Sequence, residues 1–487
     1  MSSLDDALAH LTAVVTEYDV RGRVGDTLTT EIVTAIGAAF ADELGAAGTE
    51  VVIGHDARRS SPEFARAFAE GLQARGASAV MIGLCSTDET YFASGSLGLA
   101  AVMVTASHNP PDWNGLKFSR PGATAMSRSS GLDLVKDRAA EYLRTGIDEV
   151  PAPGTQSEAD VVADYAEYLR SLVDLSEVRP LRVVIDAGNG MGALIAPAVL
   201  QEAAGLPALP VQVVPLFFDL DGAFSGRGPN PLDPESLIAL QQAVLAEGAD
   251  LGLAFDGDAD RCVVVDETGA ALSASTIAAI LAQRVIALER ERLAGTEESA
   301  DTVVPTEIIV LNNVITSRAV AEAVEAAGGV AVPTRVGHSL IKEDMRETRA
   351  LFASEHSGHY YWRELWGADS GMLAAMHLLA VLGEPAAAPL SVLAAEVTPY
   401  AASGEINLDV DDVSSIYALI VEDFTGIADF DDFDGLTVTG LTSTTEPFWW
   451  FNVRASQTEP VLRLNVEAAT ATEMVRVRDA VLALIAG

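Results

Sequence analysis

Asp256, Asp258 and Asp260 stand at alternate positions in Phe255-Asp256-Gly257-Asp258-Ala259-Asp260-Arg261, directly after the apolar run Leu251–Phe255. Carboxylates this close repel one another and raise each other's pKa unless a cation sits among them. A small cluster of hard oxygen donors suits Mg²⁺, which keeps positions open for phosphate or water oxygens. An EF-hand would share the alternation, with Glu267 in its twelfth place. It needs glycine where Arg261 stands, however, and both flanks here are strand-like. In Thr105-Ala106-Ser107-His108-Asn109-Pro110, the chain leaves the apolar run Ala100–Val104 and must turn, because Pro110 restricts its predecessor and cannot extend a ladder. One hydroxyl, Ser107, is thereby held at a strand end as a candidate nucleophile. By its type alone it reads equally as a turn residue or helix N-cap. In Glu355-His356-Ser357-Gly358-His359, residues two apart on an extended stretch share a face. A carboxylate, a hydroxyl and an imidazole on that face can grip vicinal hydroxyls, while His356 faces away.

Positioning such residues requires a scaffold of strands that end at loops. Short apolar runs such as Val51-Val52-Ile53-Gly54, Val80-Met81-Ile82-Gly83 and Arg182-Val183-Val184-Ile185-Asp186 alternate with amphipathic helical stretches, the punctuation of an α/β chain. Pro151-Ala152-Pro153-Gly154 suggests a first boundary, and Gly383-Glu384-Pro385 a last one. The final part carries two strand-like runs at 449–453 and 462–466, a tight loop between them, and a helix from about Ala469. A chain of 487 residues is too long for one core. The expected units are residues 1–152, 153–267, 268–386 and 387–487.

A formal charge of -40 argues against nucleic acid, whose binding rests on Lys and Arg neutralising phosphates. It does not exclude a small phosphate ester, since charges beyond about 8 Å are screened at physiological salt and a local group of cations can prevail. Lys117, Lys136 and Lys342 are the only lysines, and two of them fall in candidate site segments. No long uncharged apolar run suggests a membrane span, the start does not read as a secretory signal, and Cys85 and Cys262 are the only cysteines. The expectation is a cytoplasmic protein without membrane or nucleic-acid partners, a monomer or weak oligomer.

The three segments, in their order along the chain (Thr105–Pro110, Asp256–Arg261, Glu355–His359), resemble the α-D-phosphohexomutases, and most closely the bacterial phosphomannomutase/phosphoglucomutase branch. Tyr18-Asp19-Val20-Arg21-Gly22 and Arg454-Ala455-Ser456-Gln457-Thr458-Glu459-Pro460 fit the same pattern, so the resemblance spans nearly the whole chain. It implies three related α/β domains with mixed sheets and a smaller C-terminal α+β domain around a central cleft. It also implies interconversion of hexose 1- and 6-phosphates, of mannose and of glucose, through a phosphoserine at Ser107 and a hexose 1,6-bisphosphate that also serves as activator. Mg²⁺ is then held by Asp256, Asp258, Asp260 and the Ser107 phosphoryl group. A phosphoserine adds about -1.5 to -2 charge, so cations must lie near; Lys117 and Arg261 are the natural candidates. The resemblance places Lys117 and Arg21 around the reacting serine, with His359 as a further acid or base. Glu355 and Ser357 contact the sugar's O3 and O4, and Arg454, Ser456, Gln457, Thr458 and Arg463 bind the other phosphate. Tyr18, His108 and His338 complete the substrate contacts.

Two positions depart from the family pattern: Gln457, where Asn or Gly is common, and Ile315, where relatives often carry Lys. Phosphoglucosamine mutase shares most motifs, and a non-catalytic metal-binding paralogue is the reading from another class. Asp186-Ala187-Gly188-Asn189-Gly190-Met191-Gly192 fails the dinucleotide fingerprint and reads as a tight strand-to-helix turn. Gly54-His55-Asp56-Ala57-Arg58 reads as support near the nucleophile, Trp449 and Trp450 as core or interface, and the acidic run 429–434 as a solvated loop.

Overall fold

The computed structural model describes residues 4–45, 47–295, 307–410, 412–441, 448–455 and 461–486. Ser456, Gln457 and Thr458 lie outside them. Four sheets form in succession, three mixed and the last antiparallel. Each mixed sheet has the same plan. A central strand pairs in parallel with two neighbours, and the second of these folds back as an antiparallel hairpin. In the first sheet Glu50–His55 lies between Ser78–Leu84 and Ala100–Val104, and Trp113–Arg120 closes the hairpin. In the second, Leu181–Asp186 lies between Val211–Leu216 and Leu251–Phe255, with Cys262–Asp266 returning. In the third, Ile309–Asn313 lies between Val330–Thr334 and Phe352–Ser354, with Tyr360–Trp362 returning.

The hairpin loops of the three sheets are the three segments singled out above: the Ser107 turn, the aspartate loop and the Glu355–His359 stretch. No short repeat marks this equivalence in the sequence, because the shared plan rests on apolar alternation rather than residue identity. The fourth sheet contributes the hairpin of Trp449–Ala455 and Leu462–Ala468, whose Arg454 and Arg463 pair across the ladder. The fold is therefore the expected α/β arrangement, and its fourth domain is built on an antiparallel sheet.

Burial follows the runs that make the strands. Ala100–Val104, Leu251–Phe255 and Cys262–Asp266 are buried throughout, as expected for strands covered on both faces. One apolar core runs from Val52, Tyr91 and Phe92 through Tyr165 and Leu169 of helix Val162–Leu172 into the second and third sheets. The C-terminal core of Phe451, Val453, Leu464 and Val477 is separate. Polar bonds tie it to the third unit. Val336 N donates to Asp434 Oδ2 at 2.7 Å, and Arg318 N donates to Glu467 Oε1 at 3.1 Å. The acidic run 429–434 is thus not wholly a solvated loop. It begins in strand Ala428–Asp431, and its last carboxylate accepts a bond from the neighbouring domain. Trp449 is core, and Trp450 donates to Glu467 Oε1 at 2.9 Å.

The proline-rich stretch at 151–154 leads back into the first sheet, whose edge receives strand Gln156–Glu158 in parallel with Ser78–Leu84. Gly154 packs so closely that a Cβ would meet the Ala77 carbonyl oxygen at 1.8 Å. The last helix runs Ala471–Ala486.

Candidate active site

The aspartate loop closes over a left-handed residue, Ala259 (φ 63°), and the Glu355–His359 stretch over Gly358 (φ 85°). In both, the left-handed residue's N–H donates to the carbonyl three positions earlier, at 3.2 Å. The two loops also pair directly through an isolated antiparallel bridge between Arg261 and His359. Ser107 is itself left-handed (φ 48°), a conformation unusual for a non-glycine residue. Arg58 holds it there. This fully buried guanidinium donates to the carbonyl oxygens of Ser107, Asn109 and Pro110, each at 2.7 Å, and of Trp113 at 2.9 Å. Asp56 balances its charge at 3.1 Å and also accepts from Thr105 Oγ1 at 2.7 Å. The Gly54-to-Arg58 segment is therefore the frame of the nucleophile loop.

The sheets bring the loops together. Ser107 Oγ donates to Asp256 Oδ2 at 2.7 Å. Lys117 lies on strand Trp113–Arg120, buried, and donates to Asp258 Oδ2 at 2.7 Å and to Asp260 Oδ2 at 2.5 Å. Arg261 Nε lies 3.2 Å from His359 Nε2, and its Nη2 lies 3.1 Å from His108 Nδ1. Arg21 bonds Asp19 at 2.7 Å and Asn109 Oδ1 at 2.8 Å, on the other side of the serine loop.

Charge states follow from this packing. Burial, then the charges of Asp260 and Asp258, push Asp256 well above the usual carboxylate range. Burial and Asp260 also oppose ionisation of Asp258, but Lys117 and Thr87 draw it down overall. Burial opposes ionisation of Asp260 too, and Lys117 with His359 outweighs it by a wide margin. For Lys117, burial opposes the charged form and the two carboxylates overcome it, so the ammonium is retained. His359 is raised to about 9: burial and Arg261 work against protonation, and Asp260 and Glu355 prevail. His108 is neutral, held well below its ordinary value by burial and Arg261.

The three aspartates fit a divalent cation. Their ligand atoms lie within 4.8 Å of one another. Among the described residues Asp258 Oδ1 is buried without a hydrogen-bond partner, a state that is expensive unless a ligand takes the oxygen, and Asp260 Oδ1 has only the His359 imidazole at 3.5 Å. Asp260, His359 and Asp369 form a second close group. Its imidazole carries a proton at neutral pH, which makes this an ion-pair cluster rather than a ligand set.

Glu355 is 4% exposed, and neighbouring groups hold its carboxylate in place. Tyr361 OH donates to Oε2 at 2.7 Å, His359 Nδ1 lies 3.3 Å from the same oxygen, and Gly337 N donates to Oε1 at 3.3 Å. Ser357 Oγ is 3.0 Å from His359 Nδ1. His356 points away, to Glu405 at 3.4 Å. Tyr18 OH donates to Val336 O at 3.3 Å, and its ring meets that of His338 edge-on at 5.3 Å. A Cβ on Gly337 would strike the Tyr18 hydroxyl at 2.4 Å, so glycine is needed there. His338 is lowered to about 4 by burial and Lys342. Arg454 is 5% exposed, and its Nε has no partner among the described residues. Arg463 Nη1 lies 3.4 Å from Glu405 Oε1. Ile315 is buried and lines a cavity of about 620 Å³ between the second, third and fourth sheets.

Thr87 and Asp369, which pairs with Lys342 at 2.7 Å, are polar groups at the site that the sequence does not mark. The sequence marks Arg58 only as support near the nucleophile. Nothing local marks Thr87, because its partner is 171 positions away.

Four family models match in succession. The phosphoglucomutase/phosphomannomutase alpha/beta/alpha domains I, II and III cover residues 13–142, 163–269 and 275–400, and the C-terminal domain covers 405–484. The phosphohexose mutases of Xanthomonas campestris pv. campestris are 38% identical over 92% of this chain and 94% of theirs. The phosphomannomutase/phosphoglucomutase of Pseudomonas aeruginosa is 35% identical over 95% of this chain and 93% of its own. A crystal structure of a phosphoglucomutase/phosphomannomutase family protein from Burkholderia thailandensis superposes with a TM-score of 0.82 at 29% identity, covering 98% of this chain and 96% of that one.

Proposed function

The chain belongs to the phosphoglucomutase/phosphomannomutase family of enzymes, and from that premise we propose that it interconverts the 1- and 6-phosphates of mannose and of glucose through a phosphoserine at Ser107. The observation that carries this reading is the Ser107 Oγ to Asp256 Oδ2 bond of 2.7 Å, which sets a strained, rigidly framed hydroxyl against a metal-ready carboxylate cluster.

The phosphoryl group on Ser107 passes to the free hydroxyl of a hexose monophosphate. The serine–phosphorus bond breaks, a bond from the sugar oxygen to phosphorus forms, and the hydroxyl proton leaves as Ser107 Oγ takes one up. The resulting hexose 1,6-bisphosphate turns over in the cleft and returns its other phosphoryl group to Ser107. The same bisphosphate, added from outside, primes the enzyme. Asp256, Asp258, Asp260 and the phosphoserine would hold Mg²⁺, which supplies charge neutralisation on the phosphoryl oxygens. The chain's own part is positioning and electrostatics. Lys117 and His359, both protonated at neutral pH, offset the charge of the transferring group and can return a proton to a leaving oxygen. Arg21 and Arg261 flank the serine with fixed guanidinium charge.

Glu355 and Ser357 read O3 and O4, and Arg454 and Arg463 with the 456–458 segment take the distal phosphate as a dianion. Mannose and glucose differ only at C2, so a site that reads O3 and O4 accepts both. Two buried free thiols, Cys85 and Cys262, support a cytoplasmic setting. The test supplies mannose, glucose and glucosamine 1-phosphates with Mg²⁺ and a bisphosphate primer and follows the 6-phosphates. Turnover of the first two with phosphate found on Ser107 is expected. Turnover of glucosamine 1-phosphate alone, or none with any sugar, would overturn the reading.

A further inference from the structure

We propose that Thr87 is a positioning residue for the metal centre: from the domain that carries the nucleophile, it fixes the orientation of Asp258 in the neighbouring domain. The inference rests on the metal reading of the aspartate loop and goes beyond the residues assigned to it above.

Thr87 opens helix Thr87–Leu97, packed against the first sheet. It grips Asp258 twice. Its backbone N–H donates to the Asp258 carbonyl at 3.0 Å, and its Oγ1 donates to Asp258 Oδ2 at 2.5 Å. Lys117 Nζ donates to the same Oδ2 at 2.7 Å. Both holding groups therefore come from the first domain and occupy one oxygen. The other, Oδ1, is buried and has no hydrogen-bond partner among the described residues. This division of the carboxylate, one oxygen anchored and one presented, is what an oriented metal ligand requires.

The start of the helix is itself immobilised. Ser86 caps it through reciprocal bonds with Glu89. The carboxylate of Asp88, next to Thr87, accepts from Tyr165 OH at 2.7 Å and from Ser370 Oγ at 2.5 Å. Ser370 caps helix Gly371–Leu382, and a Cβ on Gly371 would strike the Arg261 carbonyl oxygen at 2.6 Å. The helix start, the aspartate loop and the cap of a third-domain helix thus meet at one point. Among the described residues Asp258 Oδ2 is the acceptor of the Thr87 hydroxyl. Its effect on the metal is exerted only while the first two domains are docked, so assembly of the domain interface sets the affinity.

The experiment titrates the full-length chain with Mn²⁺ alone, by calorimetry and electron paramagnetic resonance, for the wild type, Thr87→Val and Thr87→Ser, with thermal melts of the metal-free forms. Thr87→Val keeps the shape and removes the donor; Thr87→Ser keeps the donor. Weakening of Mn²⁺ binding by about 10- to 100-fold in Thr87→Val, with near wild-type binding in Thr87→Ser, is the expected result. Wild-type affinity in Thr87→Val overturns the proposal. So does a joint fall of affinity and metal-free melting temperature that Thr87→Ser does not restore. Absence of Mn²⁺ binding by the wild-type chain would instead overturn the metal reading of the loop, whereas equal binding by wild type and Thr87→Val removes only the role of Thr87.

Discussion

Ser107 Oγ and Asp256 Oδ2 are 2.7 Å apart although the residues are separated by 149 positions and belong to hairpins of different sheets. The bond joins a backbone in the left-handed region to a carboxylate that burial, then Asp260 and Asp258, push towards protonation. It sets the point from which the proposed chemistry is tested.

Replacing the nucleophile should stop the reaction without disturbing the fold. Ser107→Ala is expected to lower turnover by more than about 10³-fold, as loss of a nucleophile does elsewhere. Intact-mass measurement after incubation with a hexose 1,6-bisphosphate should show one added phosphoryl group on the wild type and none on the variant.

Removal of the metal should act on stability as well as on activity. Chelation is expected to abolish turnover, and Mg²⁺ to restore it. Because the ion binds the folded loop, Mg²⁺ at about 100 times its dissociation constant should add about 2.7 kcal/mol. In Asp258→Asn the melting temperature should cease to respond to Mg²⁺, read by calorimetry with and without the ion.

Arg58 is a structural test of the nucleophile loop. Its guanidinium satisfies four carbonyl oxygens and Asp56, and lysine has neither the fork nor the reach to replace it. A buried carbonyl left without its donor costs about 1–3 kcal/mol. Arg58→Lys should therefore lower the melting temperature, and the kcat of the folded fraction should fall with it.

A distant histidine governs part of the acid response. His377 is buried against Trp362, with ring centroids 4.5 Å apart, and accepts from Arg284 Nε at Nδ1, 3.3 Å away. Burial, then Arg284, lowers its pKa from 6.5 to about 3. A depressed folded-state value means that the unfolded chain takes up the proton first as pH falls. The stability is complete above pH 6.5 and is lost between there and about pH 3. The slope is about 1.4 kcal/mol per pH unit. In His377→Gln this contribution is absent. The difference in melting temperature between wild type and variant should shift in the variant's favour as pH falls from 7 to 5.

The chemistry was legible in the residues: an alternating acid trio after an apolar run, a serine in an arrested strand, and a carboxylate, hydroxyl and imidazole on one face. Their neighbourhood was not. Lys117 could have been an exposed loop lysine until strand pairing placed it inside, beside two carboxylates. The stretch at 151–154 resembles a linker in composition and yet leads into an edge strand of the first sheet. Asp434 stands in a run that looks solvated and accepts a bond from the third domain.

The amino-acid order by itself determined the α/β class and the identity of the reactive groups, since apolar periodicity and side-chain type are local properties. Tertiary structure alone decided that the three reactive segments are equivalent hairpin loops, which of them touch, and which groups carry charge. Those facts depend on how sheets stack across well over a hundred positions of chain. They depend also on the burial that stacking creates, because a carboxylate or ammonium takes its pKa from the few ångströms around it.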